Sequence, residues 1–192
     1  MTNHLEFGTY SVELMRKECI MMKTYLIIDG YNIVNQWADL KEIAKESLED
    51  ARTKLISEIQ SYAKLKNYYF IIVFDAYNIN DRIKQEVFEN GSVIFTQKHQ
   101  TADSYIEKLV YDMPKVYEIY VVTSDFTLQR MIMGSGANRI TALELEKDLY
   151  FAKKTSMKKT EAQYHKERNH LEKSLDVNII NKLDKIRRGQ AE

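Results

Sequence analysis

Short uninterrupted apolar runs alternate along this chain with longer segments in which apolar residues recur every three or four positions. The runs at 24–28 and 68–74 have the length of buried strands, and each ends abruptly in an aspartate. The periodic segment from residue 40 to residue 63 predicts one long amphipathic helix. Strands that are apolar on both faces and alternate with helices are typical of a parallel sheet covered on both sides. The predicted fold class is therefore α/β.

The second half of the chain continues this alternation. A helix with one apolar face begins at Thr101 and stops before Pro114. From residue 141 onward the sequence is charge-rich and compatible only with helix. We further predict a turn at 29–32, a short helix over 81–88, strands over 92–96, 116–122 and 138–140, and a helix ending near Met133.

Composition and charge exclude several classes of protein. A single cysteine, Cys19, allows neither an intrachain disulfide nor a cysteine-based zinc site. The longest apolar run, 68–74, is far shorter than the roughly 20 residues that span a bilayer, and the N-terminus lacks a signal-peptide pattern. We therefore expect a cytoplasmic protein without a membrane partner. The net charge of zero conceals an asymmetry, because residues 1–145 carry 16 basic and 20 acidic side chains whereas residues 146–192 carry 12 and 8.

The positions of four aspartates suggest a site. Asp29 and Asp75 end the first two strands, Asp125 follows the strand over 116–122, and Asp103 lies in the first turn of the helix that opens at Thr101. The carboxyl ends of parallel strands share one edge of a sheet, which is where such folds bind ligands. We therefore expect the first three aspartates to converge, and Asp103 to join them if its helix starts at the same edge.

Clustered carboxylates repel each other unless a cation neutralises them. Ligands that are all oxygen select hard divalent ions, here Mg²⁺ or Mn²⁺, which assist in-line attack on phosphodiesters. The reaction that fits this pattern is phosphodiester hydrolysis.

Each of these residues also has a structural alternative. A single aspartate after a strand more often caps a helix or forms a turn, and Asp103 would be stabilised by the dipole of its own helix. Asn32 is either a turn residue or a contact to substrate or to Asp29. Arg139 lies near the predicted edge, where it would meet phosphates or simply be solvated.

Four short motifs, taken in order, resemble the YacP-like branch of the NYN domain family, within the PIN-like nuclease superfamily. They are DGYN at 29–32, FDA at 74–76, TADSYIE at 101–107 and VVTSD at 121–125. The likeness spans about residues 23–165. The chain departs from the family pattern at 138–141, where it has NRIT and relatives have paired arginines.

The resemblance implies a PIN-like three-layer α/β/α fold and a metal-dependent endoribonuclease. In this likeness Asp29, Asp103 and Asp125 are the catalytic metal-binding acids, and Asp75 is a further candidate metal ligand. From their positions in the sequence, Asn32 and Arg139 are the predicted contacts to substrate, and the departure at 138–141 weakens the prediction for Arg139. It further implies Mg²⁺ or Mn²⁺ as cofactor and RNA rather than DNA as substrate, in mRNA decay on or near the ribosome.

The resemblance also suggests how the chain is divided. Residues 1–22 would be an extension that is disordered or results from a mis-set start codon, 23–165 the nuclease domain and 166–192 a helical basic tail.

Two other functions compete with nuclease activity. One is a non-catalytic RNA- or ribosome-binding adaptor that keeps the fold and binds through its basic tail. The other is a phosphoacceptor receiver domain, which needs an adjacent acidic pair after the first strand. Gly30 follows Asp29 here, so the receiver hypothesis is disfavoured.

Overall fold

A computed structural model describes residues 24–75, 84–174 and 185–188 of the chain. The strands in these ranges form one sheet in the order β3-β4-β2-β1-β5-β6. β3 runs antiparallel to β4, and every other pair is parallel. The strands are β1 (Thr24–Asp29), β2 (Tyr68–Phe74), β3 (Lys84–Phe88), β4 (Gly91–Phe95), β5 (Glu118–Val122) and β6 (Asn138–Ile140).

Helices alternate with the strands along the chain, and the last helix follows the last strand. They are α1 (Gly30–Gln36), α2 (Ala38–Glu46), α3 (Leu48–Lys66), α4 (Ala102–Asp112), α5 (Phe126–Gly134) and α6 (Ala142–Ser174). The α/β prediction is confirmed, and helices packed on both faces of the sheet make three layers. The described residues contain no helix that is long and apolar enough to cross a membrane.

Two apolar layers hold the sheet between the helices. On one face Ile27 and Val73 pack in a buried cluster with Ile106 of α4 and Leu128 of α5. On the other face α3 contacts β2 and its Leu55 is fully buried. Alternate strand residues point to opposite faces, so a strand buried on both must be apolar at every position, which explains the continuous runs.

Three sequence expectations were wrong. The segment predicted as a short helix over 81–88 is instead strand β3 from residue 84, because it pairs with β4 as the edge strand of the sheet. The long helix over 40–63 is interrupted at Ser47, whose backbone is extended and whose Oγ accepts a hydrogen bond from the Asp50 amide at 3.2 Å. The predicted turn at 29–32 is the first turn of α1, capped by Asp29.

The chain divides into two compact units, residues 1–145 and 146–192. The first contains the sheet, and the described part of the second consists mainly of the continuation of α6. The predicted N-terminal extension over 1–22 lies outside the described residues, as does much of the tail.

Candidate functional site

Asp29 and Asp125 each cap the helix that follows their strand. Asp29 is the last residue of β1, and its Oδ1 accepts a hydrogen bond from the Asn32 amide at 3.1 Å. Oδ1 of Asp125 accepts from the amides of Thr127 and Leu128 at 2.6 and 2.9 Å. The capping role that competed with a site role is therefore real, and it fixes both carboxylates at the carboxyl edge of the sheet.

Asp75 fastens helix α4 to the same edge. Its Oδ1 accepts a hydrogen bond from the backbone amide of Ala102, the first residue of α4. Thr101 caps the helix as predicted, since its Oγ1 accepts from the Ser104 amide at 3.2 Å. The hydrogen bond from Ala102 to Asp75 places the next residue, Asp103, beside the strand ends. The helix therefore starts at the same edge of the sheet, as was required for Asp103 to join the other three aspartates.

Burial and the charges of neighbouring aspartates raise the pKa of two of these carboxyl groups, Asp29 and Asp103. Burial raises the pKa of Asp29 to about 6, and the charges of Asp103 and Asp75 contribute to the increase, while the hydrogen bond from Asn32 opposes it. The pKa of Asp103 is also raised. Burial is the largest cause, and the charges of Asp125 and Asp75 raise it further. Asp103 is thus the residue whose charge couples to all three others. We call the set Asp29, Asp75, Asp103 and Asp125 the edge aspartates.

One oxygen of the cluster has no partner. Oδ1 of Asp103 is buried, and no hydrogen-bond donor reaches it among the described residues. Such an atom loses its hydration on folding without compensation, at a cost of about 1–3 kcal/mol or more for a charged group. A hard divalent cation would satisfy it, and an all-carboxylate donor set suits such an ion. The donor chemistry of these residues therefore suits a divalent ion, although within 24–75, 84–174 and 185–188 no three acids, histidines or cysteines stand in a metal-holding arrangement.

Asn32 lies within a side-chain network. Its Oδ1 accepts a hydrogen bond from Gln36 Nε2 at 2.7 Å, and the same Nε2 donates to Ser124 Oγ at 2.6 Å. The amide hydrogens of the Asn32 side chain are the donors that it could offer to a ligand, and a contact from Asn32 to substrate stays a prediction. Sequence reasoning missed Gln36, although its position four residues after Asn32 on a helix was a signal that the two share a face.

Arg139 stands farther along the edge. It lies on β6, paired with Val121 of β5, and its Nη1 is 4.0 Å from Glu144 Oε2. Its side chain is 38% exposed, so the guanidinium remains accessible to an anion. A contact from Arg139 to substrate stays a prediction.

Phe126 is a site-adjacent residue that the sequence analysis overlooked. It is the first residue of α5, directly follows Asp125 and is 71% exposed. Large apolar side chains usually gain stability from burial, so the exposed ring of Phe126 next to Asp125 is an apolar surface available to a ligand.

Comparisons with known proteins agree with this architecture. The model of the YacP-like NYN domain matches residues 26–188. The chain is 38% identical over 125 residues to "Uncharacterized protein YacP" of Bacillus subtilis (strain 168), covering 65% of this chain and 74% of that protein.

Two crystal structures of Rae1 (YacP) from Bacillus subtilis are also similar. The first, of a mutant in which a tryptophan is replaced by leucine, has a TM-score of 0.62 at 34% identity and covers 73% of this chain and 82% of its own. The second structure has a TM-score of 0.62 at 32% identity and covers 86% and 95%.

Proposed function

We propose that this chain, which belongs to the YacP-like NYN domain family of the PIN-like nuclease superfamily, is a divalent-metal-dependent endoribonuclease. The observation that supports the proposal is the set of edge aspartates, with the buried, unpartnered Oδ1 of Asp103 among them. Burial and acidic neighbours raise the pKa of Asp29 and of Asp103, which costs the protein stability when these groups are ionised, so their presence at this edge of the sheet favours a functional role.

Each residue then has a distinct task. Asp29, Asp103 and Asp125 would hold Mg²⁺ or Mn²⁺, and Asp75 would add a ligand while keeping α4 against the edge. These carboxylates would hold an ion whose chemistry, when bound, is to lower the pKa of a water and to stabilise negative charge on phosphate oxygens. Asn32 would donate its amide hydrogens to RNA, held in place by Gln36, and Arg139 would attract the phosphate backbone. The reaction consumes one water and breaks one P–O bond of the RNA chain.

The natural substrate that we propose is messenger RNA in the cytoplasm, cleaved on or near the ribosome. The likeness to the family suggests this context. A ribosome that presents the message would supply part of the substrate binding, which suits a chain whose residues 1–145 carry net negative charge.

The test is cleavage of labelled RNA, free and on translating ribosomes, with Mn²⁺ or Mg²⁺ and with a chelator. We expect cleavage by the wild type only with metal, and a loss of at least about 100-fold in Asp103→Asn, the order of magnitude of removing one charge-stabilising group from an active site. Asp112→Asn, an exposed acid at the far end of α4, is the matched control and should cleave normally. Equal absence of cleavage by wild type and Asp103→Asn on both substrates would contradict the proposal.

The second candidate is a non-catalytic adaptor that binds RNA or the ribosome. The exposed basic side chains of α6 favour it. Under this hypothesis, deletion of residues 153–192 abolishes co-sedimentation with ribosomes, while Asp29→Asn and Asp125→Asn leave cellular function intact. Loss of function in the aspartate variants with ribosome binding preserved would eliminate the adaptor.

A further inference from the structure

Helix α6 carries large side chains that are left in water. Within residues 146–174, Tyr150, Met157 and Tyr164 are 62%, 67% and 65% exposed. Lys154 and Lys158 are exposed as well, and Lys154 Nζ lies 5.8 Å from the centre of the Tyr150 ring. Isolated exposed apolar residues need no explanation, but several along one helix indicate a surface that binds something.

These residues share one side of the helix. At about 100° per residue they fall within an arc of about 120°, and the segment from Tyr150 to Tyr164 is about 21 Å long. The less exposed Leu149, Ala152 and Ser156 lie on the opposite side. We call the exposed set the α6 stripe: Tyr150, Lys154, Met157, Lys158 and Tyr164.

The chemistry of the α6 stripe is specific. Its aromatic rings and its cations are interleaved on the same side, whereas a helix that lies on a membrane separates an apolar face from a basic one. Rings for stacking beside positive charges for phosphates are what proteins use to bind single-stranded nucleic acid. Between Tyr150 and Tyr164, Glu161 is the acidic residue that falls within the same arc. Residues 146–192 have an excess of four positive charges over negative ones, which complements a polyanion.

We infer that the α6 stripe is a binding surface for single-stranded RNA, with Tyr150 and Tyr164 stacking on bases and Lys154 and Lys158 contacting phosphates. This inference deepens the proposed function by naming the surface that holds the RNA, and it rests on the part of that proposal by which the protein binds RNA. It does not depend on whether the edge aspartates cleave that RNA.

The experiment measures binding of a fluorescent single-stranded RNA to the full chain in EDTA, by anisotropy at several salt concentrations. We expect Tyr150→Ala/Tyr164→Ala to weaken binding at least tenfold, because stacking is worth about 1–3 kcal/mol per base. Lys154→Gln/Lys158→Gln should reduce the slope of log K against log salt by about 1.4, since each phosphate contact on a single strand contributes about 0.7.

The matched controls are the same kinds of substitution, tyrosine to alanine and lysine to glutamine, at exposed positions within residues 1–145. Tyr111→Ala removes a tyrosine that is 79% exposed, and Lys108→Gln/Lys115→Gln removes two exposed lysines, and neither should change RNA affinity. Tyr150→Trp/Tyr164→Trp keeps an aromatic ring at both positions and should retain RNA binding. This variant distinguishes the loss of stacking from a disruption of the helix. Circular dichroism of every variant verifies that α6 is intact.

Several results would overturn the inference. One is wild-type RNA affinity in both the tyrosine and the lysine variants. Another is unchanged RNA binding together with lost binding to anionic phospholipid vesicles, which would assign the stripe to a membrane surface. The two proposals fail separately: weakened RNA binding in the stripe variants supports the inference even if no variant cleaves RNA. Conversely, metal-dependent cleavage together with unchanged RNA affinity in the stripe variants would support the nuclease proposal and overturn this inference.

Discussion

At the scale of the residue, Asp29 serves two purposes that oppose each other. Its carboxylate caps α1 through the Asn32 amide, which stabilises the fold. Its burial and its acidic neighbours make its charge costly, which is why its pKa rises to about 6. A group whose pKa is higher in the folded state than in the unfolded state, where it is about 3.9, destabilises the fold once it ionises.

This conflict predicts how stability depends on pH in metal-free protein. Between about pH 4 and about pH 6 the folded state retains the Asp29 proton and the unfolded state has lost it, so the wild type loses stability as the pH rises through this window. Asp29→Asn keeps a capping oxygen without the charge. Urea unfolding in EDTA should show the variant more stable than wild type above pH 7, by up to about 3 kcal/mol at about 1.4 kcal/mol per pKa unit.

The difference between the two proteins should fall nearly to zero by about pH 3, where Asp29 is protonated in both the folded and the unfolded state. Asp112→Asn serves as the control and should follow the wild type at every pH. If Asp29→Asn is equally stable or less stable than wild type at pH 7.5, the ionised carboxylate of Asp29 does not destabilise the folded state.

At the scale of the element, the junction between β1 and α1 depends on a close approach. Gly30, the first residue of α1, lies against the ring of Phe74 at the end of β2, and a Cβ atom on Gly30 would overlap that ring. Phe74 is fully buried and cannot swing into solvent. The glycine in DGYN is therefore required by packing, which positions Asp29 and Asn32 at the edge.

Gly30→Ala should accordingly destabilise the protein by about 1–3 kcal/mol, the usual cost of overpacking a core. Gly134→Ala is the control, because a Cβ there meets nothing within 4 Å. In a double-mutant cycle, Phe74→Leu should recover part of the loss from Gly30→Ala, which thermal unfolding would detect as a favourable coupling. If the effects of the two changes are additive, the Phe74 ring is not the reason that residue 30 must be glycine.

The elements also show where sequence patterns reach their limit. The helix from Thr101 is confirmed because an N-cap, an apolar face and Pro114 act locally. Strand β3 was missed because its half-polar pattern is stable as a strand only by pairing with β4. The break at Ser47 was missed because the apolar residues keep their helical spacing across it from residue 40 to residue 63. The side chain of Ser47 caps a new helix there.

At the scale of the whole molecule, the edge aspartates come from segments separated by up to 96 residues, so a bound ion would tie distant parts of the fold together. Any ligand that binds only the folded state adds RT ln(1 + [L]/Kd) to the free energy of unfolding. Mn²⁺ at about 100 times its dissociation constant should therefore stabilise the wild type by about 2.7 kcal/mol.

Differential scanning calorimetry with increasing Mn²⁺ is the measurement. Asp103→Asn should show little of the increase in Tm, and Asp112→Asn should show all of it. A Tm that rises equally in wild type and Asp103→Asn would place the ion elsewhere. A Tm unaffected by Mn²⁺ in wild type would argue against the metal site as a whole.

The sequence by itself determined the parallel strands of the sheet, most of the helices and the acids that end the strands. Continuous apolar runs must be buried on both faces, and a residue that ends such a run, as Asp29 and Asp75 do, must emerge at an edge. The coincidence of four aspartates at corresponding positions was therefore visible before any coordinates.

Only the tertiary structure decided how those acids meet their surroundings. The bond from Ala102 to Asp75, the link from Gln36 to Ser124 and the unpartnered oxygen of Asp103 all depend on groups far apart in the chain. Such contacts depend on the packing of whole elements, because a displacement of about 1 Å makes or breaks a hydrogen bond while leaving every local pattern unchanged.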